Sequence, residues 1–199
     1  EGLGNKFLSH IRETDAICEV VRCFDDDNII HVEGPCDPVR DVEIINLELS
    51  IADLEIINNR LDKIKKKAET TKDKDSMVEV VALSKAKDAL EKNMPLRMVN
   101  FKEDELKAIK SYSFLTLKPI IYLANVREDE LNEDNGYVKA LLEYANKEGS
   151  SVIKICAKME NELASLSDFE RQEMLEMLGL KQSGLDILIN KTYELLGLK

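Results

Sequence analysis

The sequence predicts an α/β protein: a partial parallel sheet with an inserted antiparallel α-helical coiled-coil hairpin. Three observations carry this. Ile120, Ile121, Leu123, Ala124 and Val126 make a nearly continuous apolar run, the mark of a parallel strand covered on both faces. Between about residues 41 and 94, apolar residues instead recur every three or four positions, in two stretches separated by a polar break. Beyond residue 130, helical and strand patterns alternate. The expected parts are 1–40, a helix, strand and loop of the sheet domain; 41–112, the inserted helical domain; and 113–199, the rest of the sheet domain with its ligand-reading loops.

Each element has its reason. Residues 3–14 read as a helix with Leu3, Phe7, Leu8 and Ile11 on one face. Residues 16–24 are apolar and β-branched and read as a strand, which Asp25, Asp26, Asp27 and Asn28 break. Residues 29–38, with Gly34, Pro35 and Pro38, read as a loop. From Asp41, the stripe Ile44, Leu47, Ile51, Leu54, Ile57, Leu61, Ile64 and Ala68 predicts a long helix, its three-residue step at Leu54–Ile57 resembling a stammer. A polar break at 70–75 precedes a second helix on Val80, Leu83, Ala86 (or Lys87), Leu90 and Met94, ended by Pro95. Residues 101–114 supply a short helix back to the sheet. Pro119 suits the first position of the organising strand, where its missing N–H costs least. A helix follows over 137–147, with Gly149 as its left-handed cap, then a strand over 151–157. Ser167 and Glu170 form a capping box for a helix that stops at Gly179, and Ser183 and Gly184 open a last one ending near Gly197.

Composition narrows the function classes. The chain has 199 residues, 44% hydrophobic and 34% charged, which suits a globular protein with long helical surfaces. No apolar run approaches the roughly 18 residues of a membrane helix, and no secretion signal is evident, so a cytoplasmic setting is expected. The net charge of −11 argues against broad, sequence-independent DNA or RNA binding. Cys18, Cys23, Cys36 and Cys156 lack metal-site spacing and read as reduced thiols, with Cys18 and Cys156 packing on strands. His10 and His31 are isolated and read as structural. The start at Glu1, with a helix and no preceding strand, reads as a piece of a longer protein.

In an α/β sheet, ligands bind outside the carboxyl ends of the strands. Two such ends carry chemistry: Asn125-Val-Arg-Glu128 and Cys156-Ala157-Lys158. A strand ending in N-x-x-[DE], then a helix, then a strand ending in [SC]-A-x is the layout of the base-reading loops of P-loop GTPases. The candidate base-binding residues are therefore Asn125, Val126, Glu128, Cys156, Ala157 and Lys158. The plainer alternative stays open at this point: Asn125 caps a turn and Glu128 is merely solvated. A second candidate is the segment 60–74, where seven basic residues (Arg60, Lys63, Lys65, Lys66, Lys67, Lys72, Lys74) stand against three acidic ones. It reads either as a solvated helical face or as a contact for phosphate backbone.

Several stretches closely resemble the YchF family of Obg-like ATPases: Gly2-Leu-Gly-Asn5, Ile11-Arg-Glu-Thr14, Val20-Val-Arg-Cys-Phe24 and Asn28-Ile-Ile-His-Val32. So do Ser113-Phe-Leu-Thr-Leu-Lys-Pro119, Ala124-Asn-Val126 and Lys147-Glu-Gly149. The resemblance implies a P-loop NTPase G domain with an inserted helical hairpin, ATP as substrate, Mg²⁺ as cofactor and association with ribosomes. It places this chain between the switch II motif and a C-terminal TGS domain. One departure matters. No G-x-x-x-x-G-K-[ST] or D-x-x-G occurs in the 199 residues, nor does the switch I threonine that would hold Mg²⁺. This stretch alone is expected to be catalytically inactive, with any Mg²⁺ ligands outside it.

The base loop bears on specificity. In N-K-x-D, the Asp accepts from guanine N1–H and its 2-amino group, whereas adenine presents an acceptor at N1 and a donor at N6. Glu128 in place of Asp and Val126 in place of Lys weaken the guanine grip. The resemblance assigns the reading of the adenine edge to the backbone after the Asn, at Val126. ATP over GTP is the expectation, with Asn125 shaping the loop. The competing class is a non-enzymatic helical adaptor that binds a protein or RNA partner through its hairpin.

Overall fold

The computed structural model describes residues 4–26, 34–71 and 73–198, excluding the side chains of residues 5, 66–69 and 71. Its elements fall into two compact units: residues 1–17 with 43–119, and residues 18–42 with 120–199.

The first unit holds α1 (Asn5–Arg12) and all but the start of α2 (Pro38–Thr71), with α3 (Lys74–Leu90) and α4 (Glu103–Ile109). α2 and α3 form the expected hairpin, and both reach into the polar segment expected at 70–75: α2 runs to Thr71 and α3 starts at Lys74. Asp73 caps α3 by accepting the Ser76 N–H at 3.0 Å. Ile57, Leu61, Ala82, Leu83, Ala86 and Leu90 pack with Leu96, Ile109 and Phe114 into the hairpin core. A second cluster gathers Leu8 of α1, Leu49 and Leu115.

The stripe on α2 differs from the expectation in its first half. Ile44, Leu47 and Ile51 are 39–55% exposed, while Asn46, Leu49, Ser50 and Asp53 are buried. The buried line then continues through Ile57, Leu61 and Ile64. No stammer is needed at Leu54–Ile57, because the inward line passes through Asp53 rather than Ile51, with Leu54 partly buried beside it against the hairpin core. Polar residues won those positions because each has partners there. The Asp53 carboxylate, fully buried, accepts from Arg12 Nη1 (2.8 Å), Leu115 N–H (3.1 Å), Thr116 N–H (2.8 Å) and Thr116 Oγ1 (2.8 Å). A buried charge so fully paired is tolerated where an unpaired one is not. Asn46 Oδ1 accepts from Arg97 at 3.0 Å, and Ser50 Oγ donates to the Asn46 carbonyl. Likewise Leu8 and Ile11 of α1 face the core, but Phe7 is 54% exposed, and Met94 lies outside the α3 stripe.

The second unit is built on a three-stranded sheet in the order β1-β2-β3. These strands are Ile17–Arg22, Ile120–Asn125 and Ser151–Ile155. β2 and β3 pair in parallel, from Ile121 opposite Ser151 to Asn125 opposite Ile155. At the two ends of β1, Ile17 N–H donates to the Pro119 carbonyl and Cys23 N–H to the Asn125 carbonyl, so β1 runs the same way. β2 is therefore central, and Ile120 to Ala124 are all buried, as its composition requires. Between β2 and β3 runs α5 (Gly136–Glu148), capped by Asn135 and closed by Gly149 at φ 71°. After β3 come α6 (Ala157–Leu163), α7 (Asp168–Met177) with its Ser167–Glu170 capping box, and α8 (Gly184–Leu195). The short α6 was not evident from the sequence. Cys156 is buried as expected, at the cap of α6 rather than within the strand, whereas Cys18 is exposed on β1. His31 lies outside the described residues.

Candidate functional site

Parallel strands bring their carboxyl ends to one edge, and in the second unit that edge encloses a cavity of about 440 Å³. Asn125, Val126 and Glu128 line it from the end of β2, and Cys156 and Lys158 from the end of β3. These are five of the six residues expected to bind a base. Ala157, the sixth, does not line the cavity but bonds to a residue that does: its N–H donates to Asn125 Oδ1 at 2.9 Å. That bond ties the two loops together and commits the carbonyl half of the Asn125 amide. The Nδ2 half makes no hydrogen bond among the described residues.

Backbone bonds settle which main-chain groups remain. The Val126 N–H donates to the Ile155 carbonyl at 2.8 Å, continuing the β2–β3 ladder one residue past the strands. The Arg127 N–H donates to Glu130 Oε2 at 3.2 Å, and the Glu130 N–H returns to the Arg127 carbonyl at 3.1 Å. The carbonyl of Val126 receives no hydrogen bond among the described residues. The loop thus presents an unbonded acceptor at Val126 and an unbonded donor at Asn125, while the Val126, Arg127 and Ala157 N–H groups are occupied.

Arg127, Asp129, Phe24 and Asp26 complete the lining. Phe24 and Asp26 come from the end of β1, and the site residues inferred from sequence do not include them. The signal was available: β1 is parallel to β2, so its carboxyl end opens on the same edge. Arg22 fixes this wall from behind. Its Nε donates to the Phe24 carbonyl at 2.9 Å, its Nη2 to the Asp26 carbonyl at 3.3 Å, and its guanidinium lies 5.1 Å from the Phe24 ring centroid. Cys23, immediately before Phe24, is buried, and burial pushes its thiol pKa up to about 12, with the charges of Cys36, Asp41 and Glu130 adding to the effect. It is therefore an inert thiol at neutral pH.

The basic segment belongs to the first unit, on α2 and the start of α3. Lys63, Lys65 and Lys74 are exposed. Arg60 is engaged internally: its Nε and Nη2 grip the Glu79 carboxylate at 2.7 and 3.0 Å, and Tyr112 donates to the same carboxylate. The pairing raises the guanidinium pKa further. The Lys66 and Lys67 side chains and Lys72 lie outside the described residues. Among the described residues, no three His, Cys, Asp or Glu side chains converge to hold a metal ion. No described helix is long and apolar enough to cross a membrane.

No family model matches the chain. Its sequence relatives are consistent among themselves. It is 52% identical over 200 residues to a Bacillus subtilis protein named ribosome-binding ATPase YchF, and 47% identical over 199 residues to the protein of that name from Escherichia coli O157:H7. Both matches take in all of this chain and 54% of the relative, so the chain spans about half the length of the curated relatives it matches. Among solved structures, one described as the Schizosaccharomyces pombe YchF GTPase superposes with a TM-score of 0.87 at 36% identity, covering 98% of this chain and 53% of that one.

Proposed function

From a chain that is homologous over its whole length to the YchF proteins, we infer a nucleotide-binding protein of the ATPase class in which residues 125–128 and 156–158 receive the base, with adenine preferred to guanine. The observation that supports this is the Val126 carbonyl, an acceptor without a donor among the described residues, beside a cavity with room for a purine. Adenine offers it the N6 amino group. Guanine carries O6 at that position, and two acceptors face to face repel; a hydrogen-bonding mismatch of this kind leaves buried polar groups unpaired and discriminates strongly. The donor that would suit O6 is also withdrawn, since the Ala157 N–H is occupied by Asn125. Asn125 Nδ2 remains to donate to a ring nitrogen. The resemblance assigned the adenine edge to the backbone at Val126; with its N–H spent on Ile155, the carbonyl takes that part. Glu128, exposed on the rim, takes the place of an Asp suited to guanine.

ATP is the expected substrate of the intact protein. Hydrolysis requires a phosphate-cradling loop, and no G-x-x-x-x-G-K-[ST] motif occurs in residues 1–199; Mg²⁺ chemistry is assigned to none of the described residues. On the first unit, the exposed Lys63, Lys65 and Lys74 suit ribosomal RNA, and the sequence adds Lys66, Lys67 and Lys72 to the basic charge of that segment, while Arg60 is engaged by Glu79 within the hairpin. A cytoplasmic location fits such a partner.

The test is calorimetric titration of the full-length protein with ADP and GDP, before and after Glu128→Asp. ADP should bind more tightly, and the substitution should narrow the gap. Tighter GDP binding by the unsubstituted protein overturns the proposal.

A further inference from the structure

Asn135 lies outside the cavity, yet its side chain reaches three segments of the second unit. Its Oδ1 accepts the Val138 N–H at 2.9 Å and so caps α5. Its Nδ2 donates to the Cys23 carbonyl at 2.8 Å and to Glu130 Oε1 at 3.1 Å. Cys23 directly precedes Phe24, the wall contributed by β1. The Glu130 carboxylate closes the turn after β2, accepting the Arg127 N–H at 3.2 Å and Arg127 Nη2 at 3.5 Å. Capping alone does not call for Asn, because Ser, Thr or Asp accept from a helix N–H equally well. Of these four, only Asn adds an NH₂ with two donors, and here both are used, one on the residue before the Phe24 wall and one on the turn after β2. Tyr137, two residues on, donates to Asp25 at 2.7 Å and fastens the same post-β1 segment.

Resting on the base-binding reading, we propose that Asn135 is a positioning residue for the base cavity, holding the Phe24 wall and the Arg127–Glu130 turn in register with each other. Arg22 fixes Phe24 relative to its own strand, but the Asn135 amide joins that wall to the turn after β2. Without it, a base would have to order the two rims as it bound, and affinity would fall by that cost.

Asn135→Asp keeps the cap and turns both donors into acceptors, facing the Cys23 carbonyl and Glu130. Asn135→Ser keeps the cap without adding charge. The full-length protein and both variants are titrated with ADP and, separately, with inorganic tripolyphosphate, which has no base. Expected for Asn135→Asp is an ADP affinity about tenfold lower, the scale of one buried hydrogen bond lost, with tripolyphosphate affinity within about twofold. Asn135→Ser should show the same split at about threefold, and it carries the test if the Asp variant does not fold. Equal ADP affinity in variant and parent overturns the proposal, as does a parallel loss for both ligands, which would mark a cap and nothing more. If the parent itself does not bind ADP, the base-binding reading fails, and the positioning role falls with it.

Discussion

Replacing Asp53 with Asn isolates a buried electrostatic commitment in the first unit. The carboxylate is fully buried and takes four hydrogen bonds, two on each oxygen. An amide of the same shape has one acceptor oxygen. Turned one way, its NH₂ meets two donors, Arg12 and Leu115; turned the other way, it meets the Thr116 N–H, and only the Thr116 hydroxyl can rotate to accept from it. Breaking a buried charge pair from one side costs about 3–5 kcal/mol. The lower end applies here, because the Arg12 side chain keeps 20% of its exposure and can rehydrate. About 3 kcal/mol, with a urea slope of ~2 kcal/mol per molar, lowers the unfolding midpoint by ~1.5 M. Urea titration followed by circular dichroism at 222 nm reads this directly. The loss should persist in high salt, since a buried pair is screened far less than a surface one. A shift below ~0.5 M, or one that largely vanishes with added salt, would refute the reasoning.

Gly184→Ala should destabilise by about 1–3 kcal/mol, measured as a lowered Tm, because the new Cβ would stand 2.6 Å from Ile155 Cγ2 and 2.9 Å from Glu160 Oε1. Combining it with Ile155→Ala should cost less than the sum of the two changes. Reversing Lys63, Lys65 and Lys74 to Glu should reduce co-sedimentation of the full-length protein with ribosomes and flatten its salt dependence; unchanged binding at low salt would remove the basic tip from consideration. Iodoacetamide at pH 8 should modify exposed Cys18 well before Cys23, which is buried with its pKa raised to about 12, as peptide mass mapping would show.

What was legible in the sequence was what local pattern controls. The Ile120–Ala124 run announced a doubly covered strand, Ser167 with Glu170 announced a helix start, and Gly149 announced a helix end. The two loops at Asn125 and Cys156 followed from strand ends alone. The misread elements are those where long-range partners decide. Ile44, Leu47 and Ile51 have the better hydrophobic spacing, but Asp53 and Asn46 are buried instead because Arg12, Thr116 and Arg97, distant in sequence, satisfy them. Arg60 looked like its lysine neighbours until Glu79 and Tyr112 claimed it. Phe24 and Asn135 went unassigned for a similar reason. Their significance rests on which strand ends and turns stand side by side, and no spacing rule within one segment reveals that.

The bond from Ala157 N–H to Asn125 Oδ1 has a consequence for the side chain that carries it. A primary amide is nearly symmetric in shape, and a free one can exchange its oxygen and nitrogen by a half turn. At Asn125 that rotation would set NH₂ against N–H and forfeit the bond, so one orientation is enforced. The NH₂ of Asn125 is therefore fixed in advance, and on the proposed reading of the cavity an incoming base spends none of its binding energy on choosing between two faces of the same group. The molecule has built handedness into a side chain that has almost none of its own.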